Sequence, residues 1–196
     1  MMRHISRRFL ITLAAPAILA ACSSPSPTLY TIAPVPAPPR SGTPKVIMLQ
    51  QVVLARYLDR EQIVRSSENY RLDVMANDWW GESLSAMLSR VLVEELSQRL
   101  PHSTVLSENA GISSTPDATI ELNIQRMDKD ASGNLILQAQ TSVAPKGKGT
   151  PALRSFRFSV APPSPDIAGE VAAISTAVGQ LADGLTDMLV LVPGTR

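Results

Sequence analysis

Apolar residues recur at helical spacing along two stretches of this chain and alternate with polar ones along several others, and that contrast divides it into elements. From Trp79 to Leu100 the positions Trp80, Leu84, Met87, Leu88, Val91, Leu92, Leu96 and Leu100 form one helical stripe, with Asp78 placed to cap it and Pro101 to stop it. The pattern predicts a helix there, with Trp80 on the buried stripe and Trp79 turned about 100° away from it. From Asp166 to Val192 the residues Ile167, Val171, Ile174, Val178, Leu181, Leu185, Met188 and Val192 advance alternately by four and three. Such a seam suits a coiled coil or a helix lying on a sheet. Its neighbours Ala168, Ala172, Ser175, Gly179 and Ala182 are small where a coiled coil carries charges, which favours the sheet.

Between and before these helices the pattern is that of strands. Lys45 to Ala55, "KVIMLQQVVLA", is β-branched and nearly uncharged and predicts a buried central strand. Gln62–Ser66 and Tyr70–Met75 flank "SEN" as a hairpin, "HSTVL" is a short strand, and two alternating strands surround Asp130-Ala-Ser-Gly133. Leu153 to Val160 predicts one more strand, and Thr28 to Ile32 an edge strand. The expected fold is therefore α/β: a single domain with a mixed β-sheet covered by two main amphipathic helices, after a signal peptide and a Pro-rich spacer.

The start of the chain has another pattern. Arg3, His4, Arg7 and Arg8 precede an uncharged run from Phe9 to Ala21, shorter than the ~20 residues a membrane-spanning helix needs and suited to a secretory signal. The run ends in Leu19-Ala20-Ala21-Cys22, which resembles the bacterial lipobox. Cleavage before Cys22 and acylation of its sulfur and new amino group, palmitate being one such chain, would leave no unpaired thiol in an oxidising compartment. Two or more acyl chains hold a protein stably on a membrane, whereas one binds marginally. "SRRFL" at residues 6–10 loosely resembles a twin-arginine signal, so both export routes stay open. Residues 23–44 carry seven prolines, at 25, 27, 34, 36, 38, 39 and 44, which predicts an extended spacer. The expected division is a lipoprotein signal peptide over 1–21, a lipidated Pro-rich spacer over 22–44 and a domain over 45–196.

Charge and composition then narrow the chemistry. The whole chain has 18 basic and 17 acidic side chains, and loss of Arg3, Arg7 and Arg8 with the signal turns the balance slightly negative. That gives no electrostatic footprint for nucleic acid. Cys22 is the single cysteine, so no disulfide framework, thiolate nucleophile or cysteine metal site remains once it is lipidated. The mature chain keeps one histidine, His102, directly after Pro101, which reads as a solvated loop residue. No cofactor is expected beyond the lipid on Cys22.

Tyr57-Leu58-Asp59-Arg60-Glu61-Gln62-Ile63-Val64-Arg65, followed by Trp80-Gly81-Glu82-Ser83-Leu84 opening a helix that ends at Leu100-Pro101, resembles the PqiC-like ABC-transport auxiliary lipoproteins. In that family a lipobox precedes a "YTL"-like strand, matched by Tyr30-Thr31-Ile32, then "YLDRPQIV" and "WAEPL". Glu61, Gly81 and Ser83 depart from the Pro, Ala and Pro common there. The resemblance implies a non-enzymatic, outer-membrane lipoprotein on the periplasmic face. Its implied partners are an MCE-domain substrate-binding protein and its membrane permease, with which it would move lipids between membranes; association with further copies of itself stays open.

Two readings of the "YLDREQIVR" segment stand side by side. Asp59 and Arg60 form either an ordinary exposed turn or part of a partner-facing loop, with Tyr57 and Arg60 as anchors because tyrosine and arginine are enriched at binding hot spots. With Trp79 they make up the candidate partner-binding set: Tyr57, Asp59, Arg60 and Trp79. The competing functions are a membrane-anchored hydrolase using serine or carboxylates such as Asp59, Glu82 or Asp128, and a structural lipoprotein piloting an outer-membrane assembly. The chain shows neither a GxSxG elbow nor a paired-carboxylate motif.

Overall fold

A computed structural model describes residues 26–41 and 44–192. In chain order they form β1 (Thr28–Tyr30), β2 (Val46–Leu49), β3 (Val53–Leu54), β4 (Gln62–Ser66), β5 (Asp73–Trp80), α1 (Leu84–Arg99), β6 (Thr104–Ser107), β7 (Ala118–Lys129), β8 (Leu135–Pro145), β9 (Ala152–Val160) and α2 (Ile167–Leu189). The nine strands make one mixed sheet, as expected. β7 is its trunk. One side of β7 holds β8 antiparallel, and β9 follows antiparallel to β8. The other side holds β2, β3 and β4, all parallel to β7, with β6 beyond β2, and β5 and β1 beyond β4.

Alternation sets which face is buried. Ala118, Ile120, Leu122 and Ile124 of β7 and Leu135, Leu137, Ala139 and Val143 of β8 are enclosed, while Glu121, Gln125 and Gln140 are exposed. A register shift between Ile124 and Arg126 moves the parity by one, so Met127 takes the core position and Arg126 and Asp128 share the other face. The seam of α2 is buried along its whole length, and it packs on β8, β9 and α1, not in a coiled coil.

Three expectations are corrected. The "KVIMLQQVVLA" run is two strands, β2 and β3, each against a different part of β7. The first helix begins at Leu84, not Trp79, and its cap is Ser83, whose Oγ accepts from the Ala86 amide at 3.4 Å, not Asp78. Trp79 and Trp80 end β5, where the Trp80 amide donates to the Glu61 carbonyl at 2.7 Å. Pairing with β1 and β4 takes up the backbone of Trp79 and Trp80 in the sheet. Asp78 instead accepts a hydrogen bond from the Tyr30 hydroxyl at 3.0 Å.

The Pro-rich segment is not a free spacer either. β1 joins the edge of the sheet beside β5, and residues 31–41 run as a strap over α1 and α2. Ile32 is buried, the Ala33 amide donates to Ser175 Oγ at 3.2 Å, and the Val35 amide donates to Glu95 Oε1 at 2.8 Å. The Arg40 amide donates to the Arg99 carbonyl at 2.6 Å, and its side chain pairs with Asp187. Proline suits such a strap, since its missing N–H needs no partner where no ladder forms.

Candidate functional site

The segment after β3 turns tightly: the Leu58 amide donates to the Ala55 carbonyl and the Arg60 amide to the Leu58 carbonyl, each at 2.9 Å. Leu58 is drawn into the core, which leaves its neighbours Asp59 and Arg60 exposed. The Gln62↔Trp79 register then brings the start of β4 against the end of β5. Strand alternation places Trp80 inside and Trp79 half-buried on the opposite side, a separation by pleat and not by helical rotation.

Asp59, Arg60 and Trp79 consequently line one cleft of about 330 Å³, together with Glu61, Glu82 and the start of α1. The Trp79 indole N–H donates to the Ala76 carbonyl at 3.0 Å, which holds the ring in the wall of the cleft. Glu82 is held by Arg90, whose Nη2 and Nε lie 2.7 and 3.1 Å from Oε1. The Gly81 amide donates to the Tyr30 carbonyl at 2.9 Å, tying the cleft to β1. A Cβ at Gly81 would sit 3.4 Å from that oxygen, so the alanine of the resembled motif would fit here. The arrangement is suited to holding a partner side chain by stacking on indole and by charged hydrogen bonds.

Tyr57 is not brought into that cleft. Its ring packs against the core, and its hydroxyl donates to Asp128 Oδ2 at 2.7 Å. Burial first, and then this bond, push the phenol well above its usual range. Asp128 is fully enclosed and also accepts from Arg126 Nε at 2.8 Å, while Arg126 Nη2 donates to Glu68 at 2.6 Å. Tyr57 therefore braces the far face of the sheet. Of the carboxylates weighed for hydrolysis, Asp59 and Glu82 share the cleft and Asp128 is taken up in this network. His102 is exposed in the turn after α1.

Two buried ion pairs escaped the sequence reading. Arg99, itself enclosed, donates from Nε to Asp183 at 2.8 Å and from Nη2 to the Gly179 carbonyl at 3.0 Å, with Glu95 Oε2 at 3.6 Å from Nη1. Desolvation raises the Glu95 carboxyl to about 6 despite that cation. Lys129 pairs with Glu170 at 3.0 Å, and desolvation likewise raises Glu170. The available signal was a charge within each apolar helical face: Glu95 and Arg99 lie four apart in α1, and Glu170 beside Val171 in α2. Among the described residues no three His, Cys, Asp or Glu side chains converge as a metal site. Cys22 lies outside the described residues.

A family model described as ABC-type transport auxiliary lipoprotein component matches residues 28–185. Among curated proteins no sequence matches significantly. A crystal structure of an uncharacterized protein superposes with a TM-score of 0.70 at 16% identity, covering 83% of this chain and 98% of that one. A Xanthomonas campestris protein of family DUF330 superposes with a TM-score of 0.64 at 19% identity, covering 85% of this chain and 94% of its own. At such identities the likeness is one of fold.

Proposed function

Since the chain belongs to the ABC-type transport auxiliary lipoprotein family, we propose that it is a non-enzymatic outer-membrane lipoprotein that docks the periplasmic MCE-domain subunit of a lipid-transporting permease. The observation that supports this reading is the cleft. Asp59, Arg60 and Trp79 come from separated segments, both inside the stretch that resembles the family, and the sheet register brings them to one surface.

The anchor bears on where that surface would work. With Cys22 lipidated and β1 beginning at Thr28, five residues, 23–27, would separate the anchor from the sheet, at most roughly 17 Å of chain. The body would lie close to the outer membrane, with the cleft one strand away from the tether through the Tyr30–Gly81 hydrogen bond. Binding across such a short gap gains from tethering, because an anchored partner site searches a small volume.

The test is a titration of the full chain, held in detergent micelles, with the periplasmic domain of the MCE protein. Trp79→Ala combined with Arg60→Ala should weaken binding by about thirtyfold or more, the loss expected when hot-spot side chains contributing ~2 kcal/mol are truncated. Arg60→Ala alone, at an exposed position, should leave thermal melting unchanged, and the double variant, which also loses the partly buried Trp79 ring, should melt lower yet remain folded at the titration temperature. Undiminished binding by the double variant would remove the cleft from the interface.

A further inference from the structure

The longest free edge of the sheet lies at its other end. β9 bonds on one side to β8 in an unbroken antiparallel register from Leu135↔Val160 to Val143↔Ala152, and among the described residues no strand pairs with its outer side. The backbone groups of every second residue along nine residues are thus left to water. Natural edges of this length are usually blunted by proline, a bulge, brevity or charged side chains. "ALRSFRFSV" has no proline and no bulge, and its only charges are two arginines, which deter a basic strand and not an acidic one.

The side chains around that edge define what fits it. On the helical side, the stacked rings of Phe156 and Phe158 form, with Gly184 of α2, the floor of an open groove of about 500 Å³. On the other side Leu153 is 79% exposed. Arg154 lies over the Phe156 ring at 5.3 Å, Arg157 is exposed, and neither has a carboxylate partner among the described residues. The carboxylates lining the groove, Asp183 and Asp187, are already held by Arg99 and Arg40. Lys146 and Lys148, exposed in the loop leading into β9, add to the positive side.

We propose that β9 is a second docking edge, which takes an acidic extended segment of a partner protein as an added strand. Backbone hydrogen bonds would hold the segment, alternate apolar side chains would enter the groove beside Phe156 and Phe158 under Arg154 at its rim, and the acidic residues between them, on the opposite face, would meet Arg157. A second copy of this chain fits less well. Antiparallel pairing of β9 with itself brings four arginines together and no acid, because the strand carries none. This edge is separate from the Trp79 cleft, and its test needs no MCE protein, so the two proposals fail independently.

The probe is a blocked, fluorescent nonapeptide of alternating valine and glutamate, titrated into the full chain in micelles. Binding is expected with amide exchange along β9 slowed about tenfold or more, the mark of a new ladder. A peptide with proline in place of alternate valines, or lysine in place of glutamate, should bind at least about tenfold more weakly, since one cannot donate and the other repels. Arg154→Glu with Arg157→Glu should cause a comparable loss. Arg157→Glu alone, at an exposed position, preserves the comparison if the double variant melts early. Absence of binding, equal binding of the proline peptide, indifference to charge reversal, or slowed exchange elsewhere than β9 would overturn the proposal. So would β9 amides already protected in a self-associated form of the chain without peptide.

Discussion

Tyr57 and Glu95 show how a single side chain answers to its surroundings. Tyr57 keeps a fully enclosed Asp128 supplied with a donor, so Tyr57→Phe should cost about 1–3 kcal/mol of stability, the penalty for leaving a buried acceptor short of a partner. Urea unfolding measures this, and a change below about 0.3 kcal/mol would mean that Arg126 alone satisfies the carboxylate. Binding at the Trp79 cleft should be untouched. Glu95 carries a pH dependence of definite sign. Its folded carboxyl titrates near 6 and its ordinary value is 4.5, so between those values the folded protein holds the extra proton. Stability from this group therefore rises as pH falls through 6, approaching about 2 kcal/mol below 4.5, and is lost again as pH rises. The groups facing it are the Val35 amide, Arg99, Asp183 and Glu94. Glu95→Gln should flatten this part of the profile, and parallel urea midpoints for the two proteins from pH 7.5 to 4.5 would assign the titration to another group.

At the scale of elements, the small residues of α2 have two separate uses. Gly179 lets the strap lie against the helix: a Cβ there would stand 3.0 Å from Val35 Cβ, and the Gly179 carbonyl receives the buried Arg99. Gly184 lets the Phe156 ring approach from β9, where an added Cβ would stand 2.4 Å from the ring. Replacing Gly179 by alanine sets a helix-propensity gain of about 1 kcal/mol against a slight squeeze and should be nearly neutral. Gly179→Leu cannot be absorbed so. It should lower stability by about 1–3 kcal/mol through overpacking and make residues 31–41 more sensitive to protease. A stable, protease-resistant Gly179→Leu protein would show that the strap contributes little to the fold.

Over the whole molecule, the strap and β1 turn most of a Pro-rich leader into part of the domain, so the body and any membrane anchor are separated by very little chain. If Cys22 carries that anchor, Cys22→Ser should shift the protein from the membrane fraction to the soluble periplasm or leave its signal uncut. A mature, membrane-bound Cys22→Ser protein would refute lipidation. No described helix is long and apolar enough to cross a membrane, so the acyl chains are the attachment this reading requires. In wild type, density-gradient fractions that peak with inner-membrane markers would count against outer-membrane placement.

Periodicity by itself determined most of the elements. Both helices, the β7–β8 hairpin around Gly133, β9 and the short β1 and β6 are legible because each buries one face, and a buried face imprints its period on the sequence. The sequence also picked out Asp59, Arg60 and Trp79, whose common cleft lies within the segment of family resemblance. What tertiary structure decided were the outcomes that local pattern leaves degenerate. Trp79 and Trp80 fit a helix start or a strand end, and the pairing of Trp80 with Glu61 settled it. Tyr57 read as a surface anchor because Asp128, far away in the chain, carried no mark of being its partner. The prolines of the strap signalled extended backbone but not a destination, since docking depends on Glu95, Ser175 and Gly179, which meet only when both helices lie side by side. Local pattern registers which face of an element is buried; which distant groups share a burial follows from long-range packing alone.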